Sequence, residues 1–436
     1  MILWARVLTY LGIAGGVVGL SLVHAARNDY DYAGSSRFGF SLAFITLLSL
    51  SAYGLGLPDL VGTRRRALFA ALQATLAAAL GVSLLQLFLG DKLLPRFVVL
   101  GSPLILVPWL AFCSGIASRG TRKAAERARI FVVATEENSK ALAEDLEREP
   151  ERPARIAGSV EPHAVAHDGT LANRVRATRA TLLVLDRSAL LDEDIVSQAA
   201  VLHEAGLRTR TLVTFYEEWL GKLPISELER ASLMFDIGEL HRARYWRIKR
   251  LIDVLVAVCG LILLGLLFPL IYIGNAVSGN RKVLYRQLRV GKNGHKFWIY
   301  KLRTMPTNPD AEVNYWTTLE DPRISPFGRM LRRSHLDELP QVVNILKGEL
   351  SLIGPRPEQP HYVQTLTEVL PYYTLRYLVT PGLTGWAQVK FGYAGTDADA
   401  LEKLQYDFYY LSNQGLRLDL LIAGRTIRNI VALRGR

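Results

Sequence analysis

Apolar residues in this chain are gathered into long blocks. Four open the sequence, at residues 8–26, 38–57, 67–89 and 97–117, separated by short polar turns containing Arg27-Asn28-Asp29, Thr63-Arg64-Arg65-Arg66 and Gly90-Asp91-Lys92. Each supplies the roughly 20 apolar residues that take a helix across a hydrocarbon core of about 30 Å. The pattern predicts a four-helix transmembrane domain over residues 1–120. No convincing cleavage site followed by a soluble domain appears at residues 20–26, so the first block is read as a span and not as a signal peptide. Arg64, Arg65 and Arg66 follow the second block, and Arg119, Arg122, Lys123, Arg127 and Arg129 follow the fourth; the other two loops carry mixed charge. The positive-inside rule then puts both ends of this unit in the cytoplasm.

Beyond Arg129 the period changes. Strands are predicted at 130–134, 154–159, 181–186 and 209–215, with helices at 140–147 and about 195–205. Strands alternating with helices indicate a small parallel sheet, a Rossmann-like module over residues 121–240. A dinucleotide site there would need a glycine-rich first turn. The turn reads Ala134-Thr135-Glu136-Glu137, without glycine and with two carboxylates facing any phosphate. The module is therefore expected to be a degenerate, CoA-binding-like fold with a scaffolding or regulatory role.

The basic stretch HRARYWRIKR at 241–250 leads into a fifth apolar run, 251–273, interrupted by Asp253 and containing Pro269. Proline removes one helical hydrogen bond and clashes with the preceding turn, so a break is expected there. A straight crossing would put the Lys- and Arg-rich remainder outside the cytoplasm. The favoured expectation is a re-entrant helix at about 251–274 that keeps a catalytic domain, residues 241–436, on the cytoplasmic side, with the basic stretch on anionic headgroups. The crossing alternative stays open.

Composition agrees with a membrane protein. Half of the 436 residues are apolar, 21% are charged, and 52 Lys and Arg against 40 Asp and Glu leave a net charge of +12. These figures exclude a disordered chain. Cys113 and Cys259 both sit in apolar runs, leaving neither a disulfide framework nor a cysteine zinc site. Walker, kinase and H-E-x-x-H signatures are absent, and no nucleic-acid module is recognisable.

Chemistry concentrates near the C-terminus. Two alternating runs flank Gly291-Lys292-Asn293-Gly294, a hairpin signal; period two puts Gln287 with Arg289, and Lys301 with Arg303, on shared faces. LRRSHLDELPQ at 331–341 holds Asp337 and Glu338, whose side chains would diverge by about 100° on a helix with an apolar face of Leu336, Leu339, Val342, Ile345 and Leu346. They could perform separate tasks at one site, with Arg332 offering positive charge nearby; a charged helix start is the plainer reading. SLIGPRPE at 351–358 fixes the backbone around Arg356 between prolines, which suits a guanidinium held against a diphosphate. PGLTGWAQV follows at 381–389, and Asp407 lies in a Tyr-rich helix, QYDFYYL.

Six motifs in register, KR-x2-D at 249–253, Q-x-R-x-G-x2-G at 287–294, KLRTM at 301–305, LDELPQ at 336–341, GPRPE at 354–358 and PGLTGWAQ at 381–388, resemble the bacterial sugar transferase family. These are monotopic polyprenyl-phosphate glycosyl-1-phosphate transferases. The helical start and the degenerate module look like long-form members, similar to undecaprenyl-phosphate galactose phosphotransferases.

That resemblance implies transfer of a sugar 1-phosphate from a UDP-sugar to undecaprenyl phosphate with release of UMP, at the bacterial inner membrane among its lipids. It implies Asp337 as nucleophile and Glu338, with Asp337, as the holder of Mg²⁺. It maps Lys301 and Arg332 to the catalytic set. Arg356, Arg303, Gln287, Arg289, Asp407 and Arg376 are expected to bind substrate. Phosphoryl transfer rests on positioning and charge neutralisation, which such a set of cations would provide. Leu302, Phe268 and Thr380 depart from the family pattern, where phenylalanine, serine and a basic residue are usual. A homodimer is expected, and no nucleic-acid partner. The alternatives are a catalytically idle assembly or regulatory subunit, and a glycosyltransferase that moves sugar without its phosphate.

Overall fold

The computed structural model describes residues 2–58, 64–89, 94–148, 154–165, 170–227, 243–278, 282–305, 324–391 and 397–431. Thr63, the turn Gly90-Asp91-Lys92 and residues 241–242 of the basic stretch lie outside the described residues, as do the side chains of Arg122, Lys123 and Arg127. The chain divides into two compact units, Met1–Glu229 and Arg230–Arg436.

The first unit begins with four apolar helices: α1 (Ile2–Arg27), α2 (Ser36–Gly54), α3 (Arg64–Leu89) and α4 (Arg96–Arg127). They follow the four apolar blocks, and each is long and apolar enough to cross a membrane. Their shared core holds Ile13, Val17, Phe44, Leu48, Ala74, Ala78, Leu106 and Leu110. Small residues let helix backbones approach where lipid offers no hydrophobic drive. Gly12 shows this: Trp109 of α4 packs where its side chain would stand, and the indole Nε1–H donates to Leu8 O at 3.1 Å.

Strands β1 (Arg129–Val133), β2 (Arg155–Val160), β3 (Leu182–Leu185) and β4 (Arg208–Thr211) form a parallel sheet in the order β2-β1-β3-β4, with helices α5 (Glu136–Arg148), α6 (Thr170–Thr178), α7 (Arg187–Leu190), α8 (Glu193–Glu204) and α9 (Leu212–Phe215) between and after them. Alternate residues of β1 enter opposite cores: Phe131 and Val133 pack with Leu171, Val175 and Ile195, and Ile130 and Val132 with Leu142, Leu212 and Phe215. Both faces are thus covered, as in other parallel sheets. The strand expected at 209–215 ends early. Thr211 Oγ1 accepts from Thr214 N–H at 3.1 Å, and this cap turns Leu212–Phe215 into helix. At the C-terminal ends of β1 and β3 the chain's own carboxylates occupy the crevice. Asp186 accepts from Thr135 N–H at 2.8 Å, and Glu227 accepts from Asn138 Nδ2 and Arg187 N–H, both at 2.7 Å.

A single long helix, α10 (Ala243–Val277), opens the second unit and runs on through Pro269. The expected break into two helices is absent. Neighbouring packing holds the helix instead: Lys249, Asp253, Ala257 and Ile271 are buried, Gly260 lies against Val342 and Leu339, and Gly274 against the ring of Phe327. Steps of three and four residues define one stripe along nearly the whole helix. Lys249 Nζ donates to Asp419 Oδ2 at 2.8 Å, Arg250 donates to Ile345 O and Leu346 O, and Asp253 Oδ1 accepts from Leu352 N–H. The other stripe, with Leu251, Leu255, Ile262, Leu266, Leu270 and Ile273, is exposed and apolar.

Antiparallel strands β5 (Leu284–Val290) and β6 (Lys296–Leu302) follow, joined through Asn293 and Gly294, both with positive φ. Next come α11 (Pro326–Arg333), a 3-10 helix Leu336–Gln341, α12 (Val342–Lys347) and α13 (Pro360–Val369). Strand β7 (Ser351–Ile353) pairs in parallel with β8 (Gly382–Thr384). Helices α14 (Trp386–Lys390), α15 (Asp397–Ser412) and α16 (Leu416–Val431) complete the unit. This domain is mostly helical, with its strands in two small sheets among the described residues.

Candidate functional site

Strand alternation puts Tyr285, Gln287 and Arg289 on one side of β5, opposite Lys301, Ile299 and Phe297 of β6. Asn344 steadies β6 beside Lys301: its Nδ2 donates to Trp298 O at 2.7 Å and its Oδ1 accepts from Tyr300 N–H at 3.3 Å. Ser325 caps α11, with Pro326 in its first turn. That helix delivers Arg332, whose Nε donates to Thr304 Oγ1 at 2.9 Å.

The helix expected over 336–346 does not form as one element: residues 336–341 are 3-10, and α12 follows. His335 takes φ 56°, in the left-handed region, and turns the chain from α11 into the 3-10 helix that carries Asp337 and Glu338. Leu339, Val342, Ile345 and Leu346 still reach one core, so the apolar spacing is satisfied by two helices instead of one.

Glu338 is the hub. Its Oε1 accepts from Lys301 Nζ at 2.7 Å and from Arg356 Nη2 at 3.2 Å. Asp337 feels the charges of Lys301, Arg332 and Arg356 but has no part in those two bonds. The adjacent carboxyls are consequently driven apart. Burial, then the charge of Glu338, pushes Asp337 up to about 6 against the opposing pull of the cations. Burial would raise Glu338 too, but Lys301 and Arg356 outweigh it and hold that carboxyl well below the usual range. Burial lowers the Lys301 ammonium, with Glu338 opposing. Titratable neighbours set apart in this way mark a site of acid–base or nucleophilic work.

The loop Pro355-Arg356-Pro357-Glu358 presents Arg356, and each of its four carbonyl oxygens is held. Gly382 N–H donates to Pro355 O at 2.9 Å, Arg376 Nη2 to Arg356 O at 3.0 Å, Arg289 Nη1 to Pro357 O at 3.0 Å and Val290 N–H to Glu358 O at 2.9 Å. Gly382 must be glycine for this contact, since a side chain there would meet the backbone of Gly354.

The structure therefore brings Asp337, Glu338, Lys301, Arg332 and Arg356 together. It assigns other places to the remaining expected contacts. Arg289 faces the loop, its Nη2 donating to Gln287 Oε1 at 2.7 Å and its Nη1 lying 3.4 Å from Glu358 Oε2. Arg376 and Asp407 form a buried ion pair at 2.7 Å, with Arg376 Nη1 also donating to Tyr373 Oη at 2.6 Å. Their charges are spent inside the protein. Arg303 lies just past β6, its guanidinium 5.7 Å from the centre of the Tyr285 ring. Thr304, Glu358 and Tyr373 were not singled out from sequence; Thr304 and Glu358 stand inside the KLRTM and GPRPE motifs, whereas nothing in the sequence marks Tyr373.

Among the described residues no three His, Cys, Asp or Glu side chains converge as a metal site. The adjacent carboxylates still suit a hard cation that takes one or two protein carboxylates and completes its shell with phosphate oxygens and water. Burial is the larger cause of the rise at Asp337, and the repulsion from Glu338 that adds to it is what such a cation would relieve.

The profile of the bacterial sugar transferase family matches residues 244–433. A UDP-N-acetylgalactosamine-undecaprenyl-phosphate N-acetylgalactosaminephosphotransferase of Aeromonas hydrophila is 41% identical over 187 residues, 43% of this chain and 44% of that protein. A UDP-glucose:undecaprenyl-phosphate glucose-1-phosphate transferase of Escherichia coli (strain K12) is 34% identical over 184 residues, 41% of this chain and 39% of its own length. The chain thus spans less than half the length of these two relatives. A UDP-glucose:undecaprenyl-phosphate glucose-1-phosphate transferase of Caulobacter vibrioides is 35% identical over 196 residues, 44% of this chain and 73% of that protein. The family match falls on the unit that holds the Asp337–Glu338 pair and its cations, and with a relative covered to this extent the chain belongs to the bacterial sugar transferase family.

Proposed function

We propose that this protein transfers a sugar 1-phosphate from a UDP-sugar to undecaprenyl phosphate, releasing UMP and beginning a repeat unit of exopolysaccharide, capsule or O-antigen. The observation that carries the reading is the division of labour between Asp337 and Glu338. Glu338 anchors Lys301 and Arg356; Asp337 is left beside these cations, out of the bonds that tie up its neighbour.

In the proposed reaction the ionised Asp337 oxygen attacks the donor's β-phosphorus and the bond to the bridging oxygen breaks, so that UMP leaves with that oxygen. An oxygen of undecaprenyl phosphate then attacks the phosphosugar held on Asp337, the acyl-phosphate bond breaks, and the carboxylate returns. Lys301, Arg332 and Arg356 lower the repulsion between an anionic nucleophile and anionic phosphate oxygens; one well-placed charge of this kind contributes on the order of 3 kcal/mol. Mg²⁺ held by Glu338, with Asp337, would supply further neutralisation of the diphosphate. The acceptor phosphate is confined to the membrane plane. The docking of α10 along the domain at both its ends supports an unbroken helix that stays with the catalytic unit on one side of the inner membrane, with the catalytic face in the cytoplasm. A homodimer remains part of the proposal.

Incubation of purified protein with labelled UDP-sugars, undecaprenyl phosphate and Mg²⁺ tests the reading. UMP and a diphosphate-linked lipid product are expected. Release of UDP would instead indicate sugar transfer without phosphate, and no product from a broad panel of sugars would remove the enzyme reading.

A further inference from the structure

We infer that Arg289 and Arg376 are paired positioning residues that clamp the loop presenting Arg356, and that neither guanidinium binds substrate. The inference rests on the transferase reading for its kinetic consequence, but its geometric basis is independent of it. The sequence places all three arginines among candidate phosphate contacts. Their surroundings separate them.

The Arg356 side chain is 25% exposed and points to the acidic hub. Behind it, the Arg289 and Arg376 side chains are 11% and 6% exposed. Each of the two spends a donor on a loop carbonyl, Arg289 on Pro357 O and Arg376 on Arg356 O. Each is also oriented by partners of its own. Gln287 Oε1 and Glu358 fix the Arg289 fork; Asp407, the Tyr373 hydroxyl and the flanking rings of Tyr373 and Tyr377 fix that of Arg376.

A guanidinium suits this task because its planar fork can serve a carbonyl and an acid in fixed relation, which a lysine cannot do. Pro355 and Pro357 restrict φ on both sides of Arg356, and the four captured carbonyls remove the remaining freedom. A loop without freedom presents its charge in one place, and small displacements of such a group are costly in rate. Gln287 and Asp407 then act one step further back, as orienters of the two clamps.

The test is a double-mutant cycle on the full-length protein in nanodiscs. Arg376→Lys and Arg289→Lys are each combined with Arg356→Ala, and kcat/KM is measured for UMP release. Each lysine variant alone is expected to lose about 10- to 100-fold, of the order seen when a second-layer partner is removed. In the Arg356→Ala background each should cost less than about twofold, because its target is gone. Losses that multiply in the double variants would mean direct substrate contact and would overturn the clamp while leaving the transferase reading intact.

Amide hydrogen exchange of the peptide covering residues 350–360 is the second measurement and needs no catalysis. Both lysine variants should exchange faster there than the wild type, with the exchange of α10 unchanged. Unaltered exchange at 350–360 in both would also overturn the inference. Should the wild type release no UMP at all, the transferase reading falls, and the clamp is decided by the exchange measurement alone.

Discussion

Asp337 shows what a neighbour can do to a carboxyl. Its proton affinity is raised by burial and by Glu338, so ionising it in the metal-free protein costs folding free energy. The sign follows from linkage. A carboxyl raised from 3.8 to about 6 stabilises the fold while protonated, fully below the unfolded value, and that stabilisation is lost as pH rises through about 6. At pH 7.5 the loss is roughly 2–3 kcal/mol. In EDTA, Asp337→Asn should therefore raise the melting temperature by several degrees at pH 7.5, and the gain should vanish near pH 4. The same variant should retain no measurable UMP release. An unchanged melting temperature at both pH values would contradict the environment described for Asp337. At this scale the motifs made the hub legible, because Asp337, Glu338, Lys301, Arg332 and Arg356 are the residue types that phosphate chemistry needs. They could not show where a guanidinium points. Arg289 and Arg376 look like Arg356 in sequence, and only the carbonyls they reach distinguish them.

His335 decides how the elements around the site are joined. Periodicity at Leu336, Leu339, Val342, Ile345 and Leu346 is satisfied equally by one helix and by a 3-10 turn followed by a helix, so hydrophobic pattern alone could not reveal the break. The φ of 56° at His335 sets where that 3-10 turn begins, by separating it from α11. Left-handed backbone is tolerated by asparagine and disfavoured by β-branched side chains. His335→Asn should keep the melting temperature within a few degrees and most of the activity. His335→Val should cost about 1–3 kcal/mol and displace the Asp337–Glu338 turn, with turnover falling at least tenfold. Thermal melts and UMP release on the two variants side by side check this; equal behaviour of asparagine and valine would show that the backbone at 335 does not set the site. The strand expected at 209–215 gives way to helix for a related reason. Leu212, Val213 and Phe215 suit a strand, but the Thr211 cap turns the segment into helix and the second sheet core takes Leu212 and Phe215.

The five apolar runs were legible because bilayer thickness fixes how many apolar residues a spanning helix needs. Whether the fifth crosses was not, since hydropathy does not record what a stripe faces. It is the most apolar of the five candidate spans among the described residues, yet it touches one domain from Lys249 to Gly274. A helix of that length extends about 50 Å, and a straight crossing would take its far end out of reach of the domain that grips its start. Lys249 and Asp419 are buried partners, and leaving either charge alone there would be strongly destabilising. The start of α10 is therefore fixed to the domain, and Gly274 against Phe327 ties its other end to the same body. The C-terminal unit should then lie on the cytoplasmic side. A cysteine at exposed Gln364 on α13, with Cys113 and Cys259 replaced by serine, reports this directly. In intact spheroplasts, Gln364→Cys should react with a membrane-permeant maleimide and be shielded from an impermeant one, becoming reactive to both after lysis. Labelling by the impermeant reagent before lysis would mean that α10 crosses the bilayer, and a nucleotide donor made in the cytoplasm could not then reach Asp337.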